Sequence, residues 1–427
     1  MAAHAPIPLQ HVANAPAWMR PERTRVLRHH DSSATGKCIV YWMQRDVRTV
    51  DNWALLYAAH LAQERNVPLR VLYCLPPPSP SIREMAPFYE RLTERYGSFL
   101  LGGLEHVHLE LLEKNVPLHV IMPSSPAEVG STVMNYLSQW QANMVVCDHS
   151  PLKPYRSWLE DQLVPLCTSI SVVQVDAHNV VPVWHASPKR EIGARTLRPK
   201  IHNLLGTFLT DFPEMHGNQH LKVPITLPAF EKGLYTDFLK WDTSVPPIEW
   251  AQPGTTKALA QFESFAETGL KQFHELRNNP NYKHVCSNLS PWINHGHVSF
   301  HRWAFLIKPL HKKYANGTTM YMEEGIVRRE LSDNFVYYTP ETYDSLESAL
   351  EWAQETLRVH ASDEREWRFS LQELEGSRSH DDLWNAAQLQ LVQEGKLHGF
   401  VSDTCSVNFI VLSPQYFAHT HLPHHRC

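Results

Sequence analysis

The sequence contains no run approaching the roughly 18 uninterrupted apolar residues that a membrane span requires. Met1 to His30 mixes proline, histidine and arginine without a continuous apolar core, so a secretory leader is not expected there. The seven cysteines include no CxxC pair and are odd in number, which speaks against a disulfide framework and for free thiols in a reducing compartment. Positive charge is not in excess: 39 Lys and Arg face 44 Asp and Glu, a net charge of -5. A nucleic-acid partner would therefore have to be held by a local basic patch. A membrane protein, a secreted scaffold and a repeat array are all excluded on these grounds.

What is present reads as globular. The 427 residues are 43% hydrophobic and 19% charged, enough for two or three domains of about 150 residues each. Apolar runs at Cys38–Met43, Val67–Leu75, Pro117–Met122, Met144–Asp148 and Ser171–Asp176 read as strands buried on both faces. Helical patterns separate them: one opened by Asp51 as N-cap, then Arg83–Asn115, interrupted near Gly102–Gly103, then Pro126–Gln141 and Lys153–Leu166. The economical architecture is an α/β domain with a parallel, doubly wound sheet. No GxGxxG or GxxxxGK[ST] follows a strand, which argues against an NAD enzyme or a P-loop ATPase.

Residues 1–37 are expected to be a flexible extension, 38–185 the α/β domain and 186–256 a proline-punctuated connection with one helix near Ala194–Leu209. In that connection Lys189, Arg190, Arg195, Arg198 and Lys200 face only Glu191, either as a solvated helix face or as an interdomain or backbone-contacting patch. Residues 257–400 read as all-α, with helices at Thr256–Arg277, Pro291–Tyr314, Tyr321–Tyr338, Ser345–Leu357, Ser370–Glu375 and Asp381–Gln393. Residues 401–427 break the pattern: an apolar Val407–Leu412 reads as strand, and a disordered tail carries His419, His421, His424, His425 and Cys427. No metal site is expected.

Four features of the helical half could carry chemistry. In Ser287-Asn288-Leu289-Ser290-Pro291, Ser290 reads as an N-cap with Pro291 at the first helical position, leaving amides free for a phosphate or merely opening a helix. Glu323 to Leu331 places charges three and four apart, which either pair with one another or flank a ligand. Asp382 to Gln388 sets Trp384 beside Asn385, as packing or as a redox-active indole. The 13 tryptophans are mostly core, although aromatic and basic groups together suit an unstacked base. Lys308, His311, Lys312 and Lys313 form a local basic patch.

Read together, YWMQRDVRTVDNWALLYA (Tyr41–Ala58), VDAHNVVPVWHAS (Val175–Ser187), ARTLRPKI (Ala194–Ile201), SNLSP, EEGIVRRELSDNF (Glu323–Phe335), YDSL (Tyr343–Leu346) and HDDLWNAAQ closely resemble class II cyclobutane pyrimidine dimer photolyases, over about Tyr41 to Phe400. The resemblance implies an α/β domain, a linker and a helical FAD domain that uses light to split a dimer flipped out of duplex DNA. Ser287, Asn288, Leu289 and Ser290 match the segment holding the FAD phosphates, with Phe273 where the family has a phosphate-binding Tyr. Glu324 matches the acid that hydrogen-bonds the dimer. Arg277 matches a residue near DNA phosphate, Arg328 is its expected companion, and Arg329 lies in the flavin pocket's helix. Trp384 matches one of three relay tryptophans, and Asn385 lies beside the flavin. FAD is thus the expected cofactor, with an antenna chromophore unidentified. Damaged double-stranded DNA is the expected partner, a monomer the expected state, and the nucleus the location its substrate suggests.

The resemblance stops after Phe400. Ser402 stands where the family has an Arg, and Cys405 and Leu412 stand where two relay tryptophans belong. That change predicts an incomplete FAD domain, weak or absent FAD binding and an unstable C-terminal half. Alternatives to a working photolyase are a non-catalytic DNA-binding or light-signalling relative and an inactive truncated product.

Overall fold

The computed structural model describes residues 8–30, 36–77, 92–221, 225–364 and 366–402. Six strands form one sheet: β1 (Thr24–Arg28), β2 (Cys38–Met43), β3 (Leu69–Cys74), β4 (Leu118–Ile121), β5 (Ala142–Asp148) and β6 (Ser171–Val175), in the order β1-β6-β5-β2-β3-β4. Strands β2 to β6 are mutually parallel. The chain winds outward from β2 in both directions, so the order reverses between β2 and β5.

The apolar run of β2 explains its central place. Ile39, Tyr41 and Met43 enter one core with α1 (Trp53–Glu64) and α2 (Glu94–Glu113). Cys38, Val40 and Trp42 enter the opposite core with α3 (Val129–Gln139) and the wide-turned helix Ser157–Leu163. Alternate side chains of one strand thus serve two layers of helices.

A third core, of Phe262, Phe265, Phe273, Trp292, Trp303 and Ile326 among others, holds the helical half. It includes α4 (Ala194–Phe208), α5 (Thr255–Thr268), α6 (Phe300–Ile307) and α7 (Ala315–Met322). Helix α7 runs through wide π turns at Glu323–Arg328 into α8 (Arg329–Tyr338). Two further helices, α9 (Glu351–Val359) and α10 (Asp382–Glu394), follow toward the C-terminus.

Several expectations are corrected. The stretch read as a flexible extension contains β1, which pairs antiparallel with β6 at the sheet edge. It is tied down by Arg23, whose buried guanidinium donates to the carbonyls of Asn179 (3.0 Å) and Val180 (2.6 Å). Asn52, not Asp51, caps α1 through its side-chain oxygen, while Asp51 adopts a positive φ of 55° and pairs with Arg302 at 2.6 Å. The helix expected over Pro291–Tyr314 is three pieces, because Gly296 turns the chain at φ +72° against the Arg45 carbonyl, where a Cβ would collide. Ser290 is the first residue of the one-turn helix Ser290–Asn294 and caps nothing; its hydroxyl accepts from Lys396 instead, at 2.9 Å. Val407–Leu412, Cys405 and the histidine-rich tail lie outside the described residues.

The two halves meet through buried polar groups. Arg45, just beyond β2, donates twice to Asp333 of α8, at 2.7 and 2.9 Å. Asn179 donates to the same carboxylate at 2.9 Å, and Glu330 accepts from the Val180 amide at 2.6 Å. Arg48 reaches the Gly296 carbonyl at 3.0 Å, and Asn334 accepts from the Glu191 amide at 2.7 Å. Three of the connection's cations find partners: Lys200 pairs with Glu191 at 2.5 Å, Arg198 with Glu323 at 2.7 Å, and Arg190 donates to the Ser348 carbonyl at 2.8 Å. Among the described residues no helix is long and apolar enough to cross a membrane.

Candidate functional site

The wide turns at Glu323–Arg328 rotate the side chains of one continuous helix toward two different neighbours. Such turns, with their poorer hydrogen bonding, are frequent at functional sites. On one side Glu330, Asp333 and Asn334 are buried against the α/β domain and the connection. On another, Glu324 faces Arg277, with Oε1 and Nη2 3.0 Å apart and both side chains partly exposed.

Arg277 follows the short helix Phe273–Leu276, which is anchored by Phe273. That ring is buried, edge-on to Phe265 (5.7 Å between centroids) and to Tyr321 (5.4 Å). Phe273, Arg277, Tyr321 and Glu324 therefore form one neighbourhood around the end of α7. Ser287 belongs to it as well: it is the polar side chain facing the buried Tyr321 hydroxyl, whose ionisation burial opposes. The Ser287 carbonyl accepts from Gln261 at 3.0 Å, Asn288 takes a positive φ of 54°, and Leu289 is buried.

Arg329 lies past the wide turns, its guanidinium over the Phe300 ring at 5.6 Å. It donates to the Gly325 carbonyl at 2.8 Å and the His178 carbonyl at 3.2 Å, while its Nη1 is buried without a partner. Burial lowers its pKa. Thr318 Oγ1 is another buried polar atom without a partner. Thr318, Tyr321, Gly325 and Arg329 are spaced by three, four and four residues, one stripe of a helix. Gly325 is required there, since a Cβ would fall 1.6 Å from the Phe300 ring. Aromatic walls with unpaired donors fit a planar, polyanionic cofactor better than a metal. No group of three or more metal-ligating side chains is clustered among the described residues.

The remaining candidates sit elsewhere. Arg328 is exposed and pairs with Glu323 at 3.3 Å. Trp384 is buried in a small separate cluster with Leu374 and Ala387, its indole donating to the Leu374 carbonyl at 3.1 Å. Asn385 closes the loop before its helix, accepting from the Ser379 amide at 2.9 Å and donating to the Ser379 carbonyl at 2.8 Å. The far end of that helix reaches the Ser287–Ser290 region: Glu394 pairs with Lys283 at 3.0 Å and Lys396 with Ser290 at 2.9 Å. Trp384 lies ten residues back from Glu394, about 15 Å along the axis.

The residues that sequence reasoning missed are Arg45, Glu330, Asp333 and Asn334. Their signal was the i, i+3, i+4 spacing of polar residues on α8. Burial pushes the Glu330 carboxyl up to about 8, whereas the facing Arg45 guanidinium outweighs burial at Asp333 and holds that carboxyl far below its ordinary range.

Comparison with known proteins places this arrangement. The DNA photolyase family model matches residues 39–216. A deoxyribodipyrimidine photo-lyase of Potorous tridactylus is 42% identical over 365 residues, which are 86% of this chain and 65% of that protein. One of Oryza sativa subsp. japonica is 37% identical over 396 residues, covering 89% of this chain and 73% of the relative. Among solved structures, a class III photolyase from Agrobacterium tumefaciens superposes with a TM-score of 0.62 at 18% identity, over 92% of this chain and 78% of that one. A Sulfolobus tokodaii photolyase solved with two FAD molecules gives a TM-score of 0.61 at 15% identity, over 90% and 79% of the two chains. These structures share the fold, and the sequence relatives establish the lineage: the chain belongs to the DNA photolyase family.

Proposed function

We propose that this chain is a class II photolyase that repairs cyclobutane pyrimidine dimers in DNA with light and FAD. The observation that carries the reading is the Glu324–Arg277 pair at 3.0 Å, set against the aromatic stripe of Phe273, Tyr321 and Phe300. The names and identities of the curated relatives support it. The nuclear location we propose rests on that substrate alone.

When bound, FAD would supply light-driven one-electron chemistry at the cyclobutane ring. The chain's residues have separable tasks. Ser287 to Ser290 and the unpaired Arg329 Nη1 would hold the cofactor's polar groups. Phe273, Phe300 and Tyr321 supply apolar surface that excludes water. Glu324 would exchange Arg277 for the imide N–H of a flipped pyrimidine pair, which would donate to the carboxylate, and Arg277 would then be free for a backbone phosphate. Flipping costs a few kcal/mol, least at a damaged step, which favours the dimer over intact bases.

A second reading, a non-catalytic DNA-binding relative, draws on the Trp384 cluster and on Cys405 and Leu412 at relay positions. Incubating the purified chain with a dimer-containing oligonucleotide and chemical reductant, in light and in darkness, separates the two. Light-dependent loss of the dimer is expected; dimer binding without repair would establish the second reading.

A further inference from the structure

We propose that Lys308, Lys312 and Lys313, with Lys271 beside them, form a ridge that grips the phosphate backbone of duplex DNA several nucleotides from the Glu324 site. The inference rests on the DNA-repair reading and extends its footprint to a surface which that reading does not use.

From Phe300 to Met322 the sequence contains no Asp or Glu. Its cations divide into two kinds. Arg302 is committed to Asp51 at 2.6 Å and to Asp211 at 2.8 Å. Lys308, His311, Lys312 and Lys313 are exposed, and no ion pair joins them to a carboxylate among the described residues. Elsewhere lysines do find acids: Lys153 pairs with Asp344, Lys200 with Glu191, Lys232 with Glu105 and Lys283 with Glu394.

The unpaired lysines are held on rigid backbone. Lys308–Lys312 is a 3-10 turn containing Pro309, closed where the Lys313 and Tyr314 amides donate to the Leu310 carbonyl at 2.9 and 2.8 Å. Lys313 lies over the Tyr314 ring, 4.8 Å from its centroid. This turn leads straight into α7. Gly317, in the first turn of α7, abuts the Leu270 carbonyl so closely that a Cβ would meet it, which brings exposed Lys271 alongside. At the other end of the helix Arg277 meets Glu324. On Lys271–Arg277 the one acid is Glu275, and it pairs with His274 at 3.3 Å.

Cations thus stand at both ends of a helical stretch whose ten residues from Ala315 to Glu324 span roughly 14 Å. At about 3.4 Å per nucleotide along each strand, that is roughly four steps of a duplex. Unpaired ammonium groups on a fixed turn suit a regular row of phosphates. Because the ridge touches only the backbone, it should bind damaged and intact duplex alike.

The test is fluorescence anisotropy in the dark with two labelled duplexes, one intact and one carrying a single thymine dimer, across a salt series. The proteins are the full chain, the triple variant Lys308→Gln/Lys312→Gln/Lys313→Gln, Lys308→Gln alone and a control, Lys37→Gln, on the α/β domain. Thermal melts verify that each is folded. The triple variant should weaken both duplexes by the same factor and lower the slope of log affinity against log salt by about 2 to 3, at about 0.9 per phosphate contact. The single variant should lower it by about 1, and the control should change neither. Unchanged affinity and slope in the triple variant, weakening confined to the dimer duplex, or tighter binding to anionic vesicles than to duplex would each overturn the ridge. If the unmodified chain binds neither duplex, the DNA-repair reading fails with it.

Discussion

Arg277 Nη2 and Glu324 Oε1 lie 3.0 Å apart, so the two residues proposed for DNA phosphate and for the flipped dimer pair with each other. Both are partly exposed, and an ion pair in that setting adds about 0 to 1 kcal/mol. Glu324→Gln should therefore leave the melting temperature nearly unchanged while slowing repair at least 10-fold in dimer-containing duplex. Arg277→Gln should weaken duplex binding several-fold. A Glu324→Gln protein that repairs at the unmodified rate would remove this carboxylate from the chemistry.

The contact between Arg45 and Asp333 joins the two halves, and Asn179 shares the same carboxylate. Asp333→Ala would leave a guanidinium and an amide facing nothing, at a cost of about 3 kcal/mol or more. Urea denaturation followed by near-ultraviolet circular dichroism should show the midpoint falling and the α/β and helical halves beginning to melt separately. A single unshifted transition would mean that the Asp333 carboxylate does not hold the junction.

Stability should depend on pH in a defined direction. Burial holds His178 and His295 at about 4 and pushes His297 and His301 well below the ordinary 6.5. These groups are neutral when folded and take up protons on unfolding below pH 6.5, so their contribution is present above 6.5 and is lost as pH falls toward 4. Glu330 acts oppositely. Its carboxyl is raised from 4.5 to about 8, so its contribution is full below 4.5 and fades as pH rises to about 8. The melting temperature should climb steeply from pH 4 to 6.5, where the histidines outnumber Glu330, and then decline gently toward 8.5. Glu330→Gln should flatten the alkaline decline. A curve flat from pH 4 to 8 would contradict this.

Gly325 admits the Phe300 ring, since a Cβ would fall 1.6 Å from it. Gly325→Ala should destabilise the chain by about 1 to 3 kcal/mol through overpacking. Adding Phe300→Leu should recover part of that loss in a thermal melt, and a failure to recover any would show that the strain lies elsewhere.

Much of the α/β half is legible in the sequence because CIVYWM at Cys38–Met43 and the runs like it are buried on both faces. Thr24–Arg28 is not, because an edge strand with two arginines carries no apolar run. Ser290 looks like a cap, but its helix is little more than one turn and a distant lysine takes its hydroxyl. Glu330, Asp333 and Asn334 have the spacing of a solvated face, and only the α/β domain's return contacts reveal them as buried. The neighbourhood of Phe273, Arg277, Ser287 and Glu324 was assembled through resemblance. Spacing alone could not have brought residues 277 and 324 together.

The central claim is that the helical half of this chain holds FAD. The most direct measurement is the visible absorption spectrum of the purified chain expressed with ample riboflavin, with circular dichroism run on the same sample to confirm folding. The account predicts about one flavin per chain, against the weak or absent binding expected from the change after Phe400, with substantial loss of flavin in Arg329→Ala. A folded, colourless protein would contradict it.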